Sequence, residues 1–399
     1  MTIRFSLRCS SRVAVSCLVV CAVGALAVAP GHGPARADPG APGSGPVAAQ
    51  PEPLYRPGTQ VRARAGAPAL PAVSALSWLV ADADSGEVLA AHDAHRPLPP
   101  ASTLKTLFAL TVLPALPGGV RHTVTPEDLE GIGEGSSRVG VAEGRTYRVD
   151  DLWRGVFLNS GNDAVHVLAA MNGGWQATAE RMRAKARSLG ALDTQVMSPD
   201  GYDAPGQVSS AYDLAVFGQA GLRNADFARY CATAAASFPG DGSSYPIHNT
   251  NRLLTGAKGV EAYPGLIGVK NGYTSNAGST LVAAARRGGR TLVVTVLNPQ
   301  VRGATTVYEE ARSLLDWGFG AAGLVTPVGS LHSASVPSGA ALPAGRRSAQ
   351  AGPAAAPAAP AEEGGSGWPE TGAIAGAAGV GAGAVALALR LKGNRPSRG

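Results

Sequence analysis

Two periods of apolar residues run along this chain, and the change from one to the other marks its elements. Leu76 to Ala83 and Glu87 to His92 are short apolar runs on either side of Asp84-Ser85-Gly86, a turn-forming trio, which predicts a β-hairpin. Thr103 to Leu113 is an unbroken stretch of helix formers. Val149 to Met171 carries apolar residues at helical spacing, and Gln176 to Leu189 is an amphipathic, Arg-rich helix ending at Gly190. Strand sequence returns at Ser279 to Arg286 and Thr291 to Leu297, joined by Arg287-Gly288-Gly289-Arg290, and Thr305 to Trp317 reads as a closing helix. Hairpin, helical middle, hairpin, helix is the order of an α+β domain, with an antiparallel sheet formed by the N- and C-terminal strands and a helical subdomain between them.

The ends follow other patterns. Residues 1–37 place Arg4, Arg8 and Arg12 before an apolar run from Val13 to Ala29 and finish Ala35-Arg36-Ala37, the layout of a secretory signal peptide. Residues 38–70 form a Pro/Gly/Ala-rich spacer without periodicity, with structure expected to begin near Ser74. The globular domain spans 71–325, and 326–367 is a disordered Ala/Pro linker. Within 368–399, Trp368-Pro369-Glu370-Thr371-Gly372 resembles the sortase signal Leu-Pro-x-Thr-Gly with Trp in place of Leu. Ala373 to Leu391 then predicts a transmembrane segment, and Lys392, Arg395 and Arg398 form a basic tail. The expected location is therefore extracytoplasmic, held at the cell membrane or the wall, with the membrane and a sortase as expected partners.

The net charge of +6 changes this picture little, because much of the basic excess sits in the terminal segments, and no nucleic-acid partner is expected. Of 4 cysteines, Cys9, Cys17 and Cys21 precede the export boundary, so Cys231 stands alone in the mature chain as a buried thiol without a disulfide. No metal or other cofactor is expected.

Three short segments carry candidate chemistry. Pro100-Ala101-Ser102-Thr103-Leu104-Lys105 puts a Ser and a Lys three apart at the start of a helix, on one face. A lysine amine made neutral by desolvation can take the hydroxyl proton and turn Ser102 into a nucleophile. In Ser160-Gly161-Asn162, a turn between helical stretches presents a hydroxyl and an amide to a cleft. Lys270-Asn271-Gly272-Tyr273-Thr274 offers a cation for a substrate carboxylate and a glycine that leaves room for an extended peptide. Taken singly, each also fits an ordinary helix cap or turn.

Ser-x-x-Lys, Ser-x-Asn and Lys-x-Gly in this order resemble the signature of the penicillin-binding proteins. The flanks Ser209-Ser210-Ala211-Tyr212-Asp213-Leu214-Ala215 and Asn249-Thr250-Asn251-Arg252-Leu253-Leu254 are similar to its D-alanyl-D-alanine carboxypeptidase branch. The resemblance covers about Leu76 to Phe319. It implies a β-lactamase/transpeptidase-like fold and a serine carboxypeptidase acting on peptidoglycan stem peptides that end in D-Ala-D-Ala, with β-lactams as inhibitors. It further implies Ser102 as acyl-ester nucleophile, Lys105 as base, Ser160 as proton relay and Asn162 as positioning residue. Lys270, Asn271, Gly272 and Thr274 would bind substrate. Asn271 stands where the family usually has Thr or Ser, and Thr274 is a substitute donor.

Two other readings share the motifs. A serine β-lactamase would need a deacylating Glu between the second and third motifs, where Ser198-Pro199-Asp200-Gly201-Tyr202-Asp203 instead looks like the carboxypeptidase loop. An idle cell-wall binding protein would have no need of all four residues Ser102, Lys105, Ser160 and Lys270.

Overall fold

The computed structural model describes residues 53–332. The expected signal peptide, the first part of the spacer, most of the linker, the sorting-like motif, the apolar segment and the basic tail lie outside the described residues. Among those described, no helix is long and apolar enough to cross a membrane.

After a 3-10 turn at Pro53–Tyr55 come strands β1 (Thr59–Val61), β2 (Ala75–Asp82) and β3 (Glu87–His92). A 3-10 segment, Ala101–Leu104, leads into helix α1 (Lys105–Val112). Strands β4 (Arg121–Thr123) and β5 (Thr146–Arg148) form a small ribbon, and helices α2 (Val149–Asn159), α3 (Asn162–Met171), α4 (Trp175–Ser188), α5 (Ala211–Leu222) and α6 (Ala225–Cys231) follow. The hairpin β6 (Ala235–Pro239) and β7 (Ser244–His248) and the single turn α7 (Arg252–Thr255) lead to the long strands β8 (Leu266–Thr274), β9 (Gly278–Arg287) and β10 (Arg290–Pro299). Helix α8 (Thr306–Ala321) and β11 (Gly329–Ser330) close the described chain.

The main sheet is antiparallel in the order β1-β3-β2-β10-β9-β8, with β11 also on β3. Its two halves join where β2 meets β10, Val80 opposite Val294, as expected from terminal strands in one sheet. Alternation along the strands explains how one sheet serves two cores. Trp78, Val80, Leu281, Ala283, Val294 and Val296 face one way and pack with Leu314, Leu315 and Trp317 of α8. Leu79, Ala81, Val282, Ala284 and Val293 face the other way, into the core of the helical subdomain. Covered on both faces, β9 and β10 read as continuous apolar runs rather than alternating ones.

The structure extends beyond the expected boundaries at both ends. Part of the predicted spacer is a strand: Gln60 pairs with Ala91, and Leu54 is buried. At the other end, Gly329 pairs with Val88. Backbone pairing to an edge strand leaves little trace in side-chain pattern, which is why a Pro/Gly/Ala composition misled at these two places. Helix α5 is buried nearly all round, so it shows no amphipathic period. Its start is marked by Ser210, whose hydroxyl accepts from the Asp213 N–H at 3.1 Å. Cys231 is a free, fully buried thiol, and burial pushes its pKa up to about 12.

Candidate active site

The expected helix over Thr103–Leu113 begins instead with a 3-10 turn, and that turn builds the centre of the site. In a 3-10 segment residues i and i+3 eclipse one another. The turn spans Ala101–Leu104, and the N–H of Lys105 donates to the Ser102 carbonyl. Lys105 therefore stands over Ser102, and its Nζ donates to Ser102 Oγ at 2.9 Å. A second bond, to the Asp200 carbonyl at 2.6 Å, holds the amine from the far side. Three further features fix the turn. Thr280 Oγ1 donates to the Pro100 carbonyl at 2.9 Å. Ala101 sits at φ 49°, a left-handed conformation that costs an alanine about 1 kcal/mol. A Cβ on Gly272 would lie 2.7 Å from the Ser102 nitrogen, so strand β8 can pass this closely only with glycine there.

The second motif is a break between two helices, as the sequence predicts. Ser160 ends α2 in the left-handed region at φ 58°, and Asn162 opens α3. The Ser160 hydroxyl is buried without a hydrogen-bond partner among the described residues, although it borders an open cleft. An unmet buried hydroxyl there is suited to a group brought by a ligand. Asn162 Nδ2 donates to Asp200 Oδ2 at 2.7 Å, and its main-chain N–H donates to the Ser137 carbonyl at 2.8 Å.

From the third motif, Lys270 is 1% exposed and donates to the Asn271 carbonyl at 2.7 Å. Asn271, Gly272 and Thr274 line the cleft, across from Ser102, Ser160 and Asn162. The Thr274 hydroxyl oxygen accepts from the Ala277 N–H at 3.1 Å. All eight residues predicted from sequence thus converge on one region, and six border a cleft of about 430 Å³. The other two, Lys105 and Lys270, are buried behind the cleft surface, close enough for their charges to interact.

Burial sets the charge state of this pair. Desolvation lowers the pKa of Lys105 to about 8, opposed by the negative charges of Asp200 and Asp163. Burial, followed by the nearby Lys105, pushes Lys270 well below the ordinary lysine range. A lysine made neutral this way can accept a proton near physiological pH.

Three supporting residues are not evident from spacing alone. Asp200 orders the Ser198–Asp203 loop by accepting from the Tyr202 N–H at 3.0 Å while holding Asn162. The following glycine, Gly201 at φ 80°, sits where a Cβ would lie 2.1 Å from the Ala101 carbonyl oxygen. Asp163 gathers the N–H groups of Val139, Gly140, Val141 and Ala164 at 2.7–2.9 Å. That grip holds the segment that continues from the cleft wall at Glu134–Ser137. Among the described residues, one acid between the second and third motifs borders the cleft. This is Asp203, whose Oδ2 accepts from the Asn276 N–H at 3.1 Å.

Comparison with known proteins agrees with this geometry. The sequence pattern of the D-alanyl-D-alanine carboxypeptidase family matches residues 63–301. The chain is 42% identical over 258 residues to the D-alanyl-D-alanine carboxypeptidase DacB2 of Mycobacterium tuberculosis, covering 64% of this chain and 86% of the relative. It is 35% identical over 263 residues to DacD of Escherichia coli, where it spans 63% of this chain and 64% of the relative's length. A crystal structure of a D-alanyl-D-alanine carboxypeptidase from Mycobacterium tuberculosis superposes with a TM-score of 0.60 at 41% identity, over 65% of this chain and 96% of that one. A mutant of a Streptomyces DD-transpeptidase superposes with a TM-score of 0.58 at 26% identity, over 62% and 99%.

Proposed function

Because the chain belongs to the D-alanyl-D-alanine carboxypeptidase family, we propose that it removes the terminal D-alanine from peptidoglycan stem peptides through an ester formed on Ser102. The observation that carries this reading is the 2.9 Å contact between Ser102 Oγ and a buried lysine amine whose pKa is lowered to about 8. In the neutral state, Lys105 takes the hydroxyl proton as Ser102 Oγ attacks the carbonyl carbon of the penultimate D-alanine. Negative charge then develops on the carbonyl oxygen, and the Ser102 N–H, at the open end of the helical segment, is placed to stabilise it. The C–N bond breaks and the departing amine of the last D-alanine takes a proton, for which the unpartnered Ser160 hydroxyl is the relay. Water then attacks the ester, returning the hydrogen to Ser102 and freeing a carboxylate. Asn162 and Asp200 keep Lys105 and Ser160 in register. Asn271, Gly272 and Thr274 receive the substrate strand and its terminal carboxylate, and Lys270, expected from the sequence to bind there too, backs this wall through its bond to the Asn271 carbonyl. β-Lactams, which carry a strained acyl group and a carboxylate, would acylate the same serine and leave slowly.

The reading also includes delivery and tethering outside the cytoplasm. Residues 1–37 serve as the export signal, and residues 368–399 hold the domain near its polymeric substrate, either as a membrane anchor or through a sortase that accepts Trp368. The charge and apolar pattern of these two segments supports this.

One experiment tests the chemistry and the charge state together. A labelled penicillin should add its mass to the peptide containing Ser102. Because the lysine must be neutral to accept the proton, the acylation rate should rise about tenfold from pH 7 to pH 9, with a midpoint near the Lys105 value of about 8. A flat profile over that range, or label on another residue, contradicts the assignment of Lys105 and Ser102.

A further inference from the structure

The third motif carries an amide where the signature it resembles has a hydroxyl, and another segment of the same chain supplies a hydroxyl beside it. Thr250 lies between β7 and α7, at the edge of the cleft. Its main chain is pinned from both sides: its N–H donates to the Leu158 carbonyl at 2.9 Å, and its carbonyl accepts from the Tyr308 hydroxyl at 3.3 Å. Only its side chain is left to act, and Thr250 Oγ1 donates to Asn271 Oδ1 at 3.0 Å. Both residues border the cleft that holds Ser102.

An asparagine amide has two unlike ends, and the torsion that turns it is broad and roughly two-fold. If its oxygen faces a carboxylate, the pair repels; if its nitrogen does, two donors are available. A hydroxyl that donates to Oδ1 fixes the oxygen toward Thr250 and so commits Nδ2 to the other side. Asn271 also interacts with the Tyr308 hydroxyl, which occupies at most one of the two amide hydrogens. The other remains for the cleft.

We propose that Thr250 is a positioning residue for substrate recognition: it sets the orientation of the Asn271 amide so that Nδ2 donates to the terminal carboxylate of the peptide. The inference rests on the carboxypeptidase reading above. It explains how a planar amide serves at a position where a short hydroxyl is usual, and it makes residues 250 and 271 one functional unit.

The test is a double-mutant cycle with a soluble diacetylated Lys-D-Ala-D-Ala peptide, following D-alanine release. Thr250→Val should raise KM about tenfold, leave kcat within about twofold and leave the melting temperature unchanged, whereas Thr250→Ser should behave like the wild type. In an Asn271→Thr background the same Thr250→Val change should alter KM by less than about twofold, since no amide is left to orient. An equal rise in KM in both backgrounds, a fall in kcat at constant KM, or no change in the wild-type background overturns the inference while leaving the carboxypeptidase reading intact. A wild-type protein that releases no D-alanine overturns that reading, and the inference with it.

Discussion

Lys105→Met should slow acylation of Ser102 by about 10³-fold, within the range expected when a general base is removed, and should not cost stability. Lys105 is 1% exposed, and desolvation is the largest influence on its pKa, so the folded protein holds this amine against its preference for water. The sign follows from linkage. The group's folded pKa lies below its unfolded one, so between about pH 8 and the ordinary lysine value the unfolded chain binds more protons and stability rises with pH. At pH 7 the buried ammonium is a burden that a thioether of similar length lacks. Loss of the bond to the Asp200 carbonyl works against this gain. The expected melting temperature is therefore equal to or above that of the wild type, beside a nearly complete loss of acylation. Stopped-flow acylation by a fluorescent penicillin, paired with calorimetry, reads both quantities. A variant that loses activity together with several degrees of melting temperature would make Lys105 a structural residue rather than the base.

Asp163→Ala should destabilise the domain by about 3–5 kcal/mol and lower its melting temperature by roughly 10 °C. The carboxylate is buried and accepts from four main-chain N–H groups, three of them on consecutive residues, Val139 to Val141. Removing it orphans those donors at once, and among the described residues no other acceptor is bonded to them. Asp163→Asn keeps one acceptor oxygen and should cost about half as much. The same segment supports the cleft wall at Ser137, whose carbonyl receives the Asn162 N–H at 2.8 Å, so KM for the peptide should rise as the fold weakens. Calorimetry of the two variants beside the wild type checks the order. Equal stability of Asp163→Ala and wild type would mean that water replaces the carboxylate without loss.

How much of this was legible in the sequence depended on whether a relation was local. Ser102 and Lys105 are three apart, Ser160 and Asn162 two apart, and Lys270 to Thr274 lie on one strand, so helical or strand geometry allows their partnerships, and the resemblance of the three motifs, in order, to the penicillin-binding signature singles them out. The two hairpins and the closing helix were likewise written in local periodicity. What spacing did not contain were contacts across the chain. The Asp200 carbonyl meets Lys105 from 95 residues away, and Thr250 meets Asn271 from 21; neither pair has a periodic signature. The Asp200-Gly201 step was a usable sign, because a glycine following a polar residue in a loop often marks a left-handed position, here one packed on Ala101. Strands β1 and β11 were illegible for a different reason. They are held through main-chain pairing at an edge, where side chains need not alternate.

The central claim is that Ser102 is the nucleophile of a D-alanyl-D-alanine carboxypeptidase. The most direct test is mass spectrometry of diacetylated Lys-D-Ala-D-Ala after incubation with the wild-type chain and with Ser102→Ala. Loss of a single D-alanine with the wild type, and none above background with the variant, is the result predicted. Equal release by both proteins would contradict the assignment of Ser102, and release by neither would contradict the carboxypeptidase activity itself.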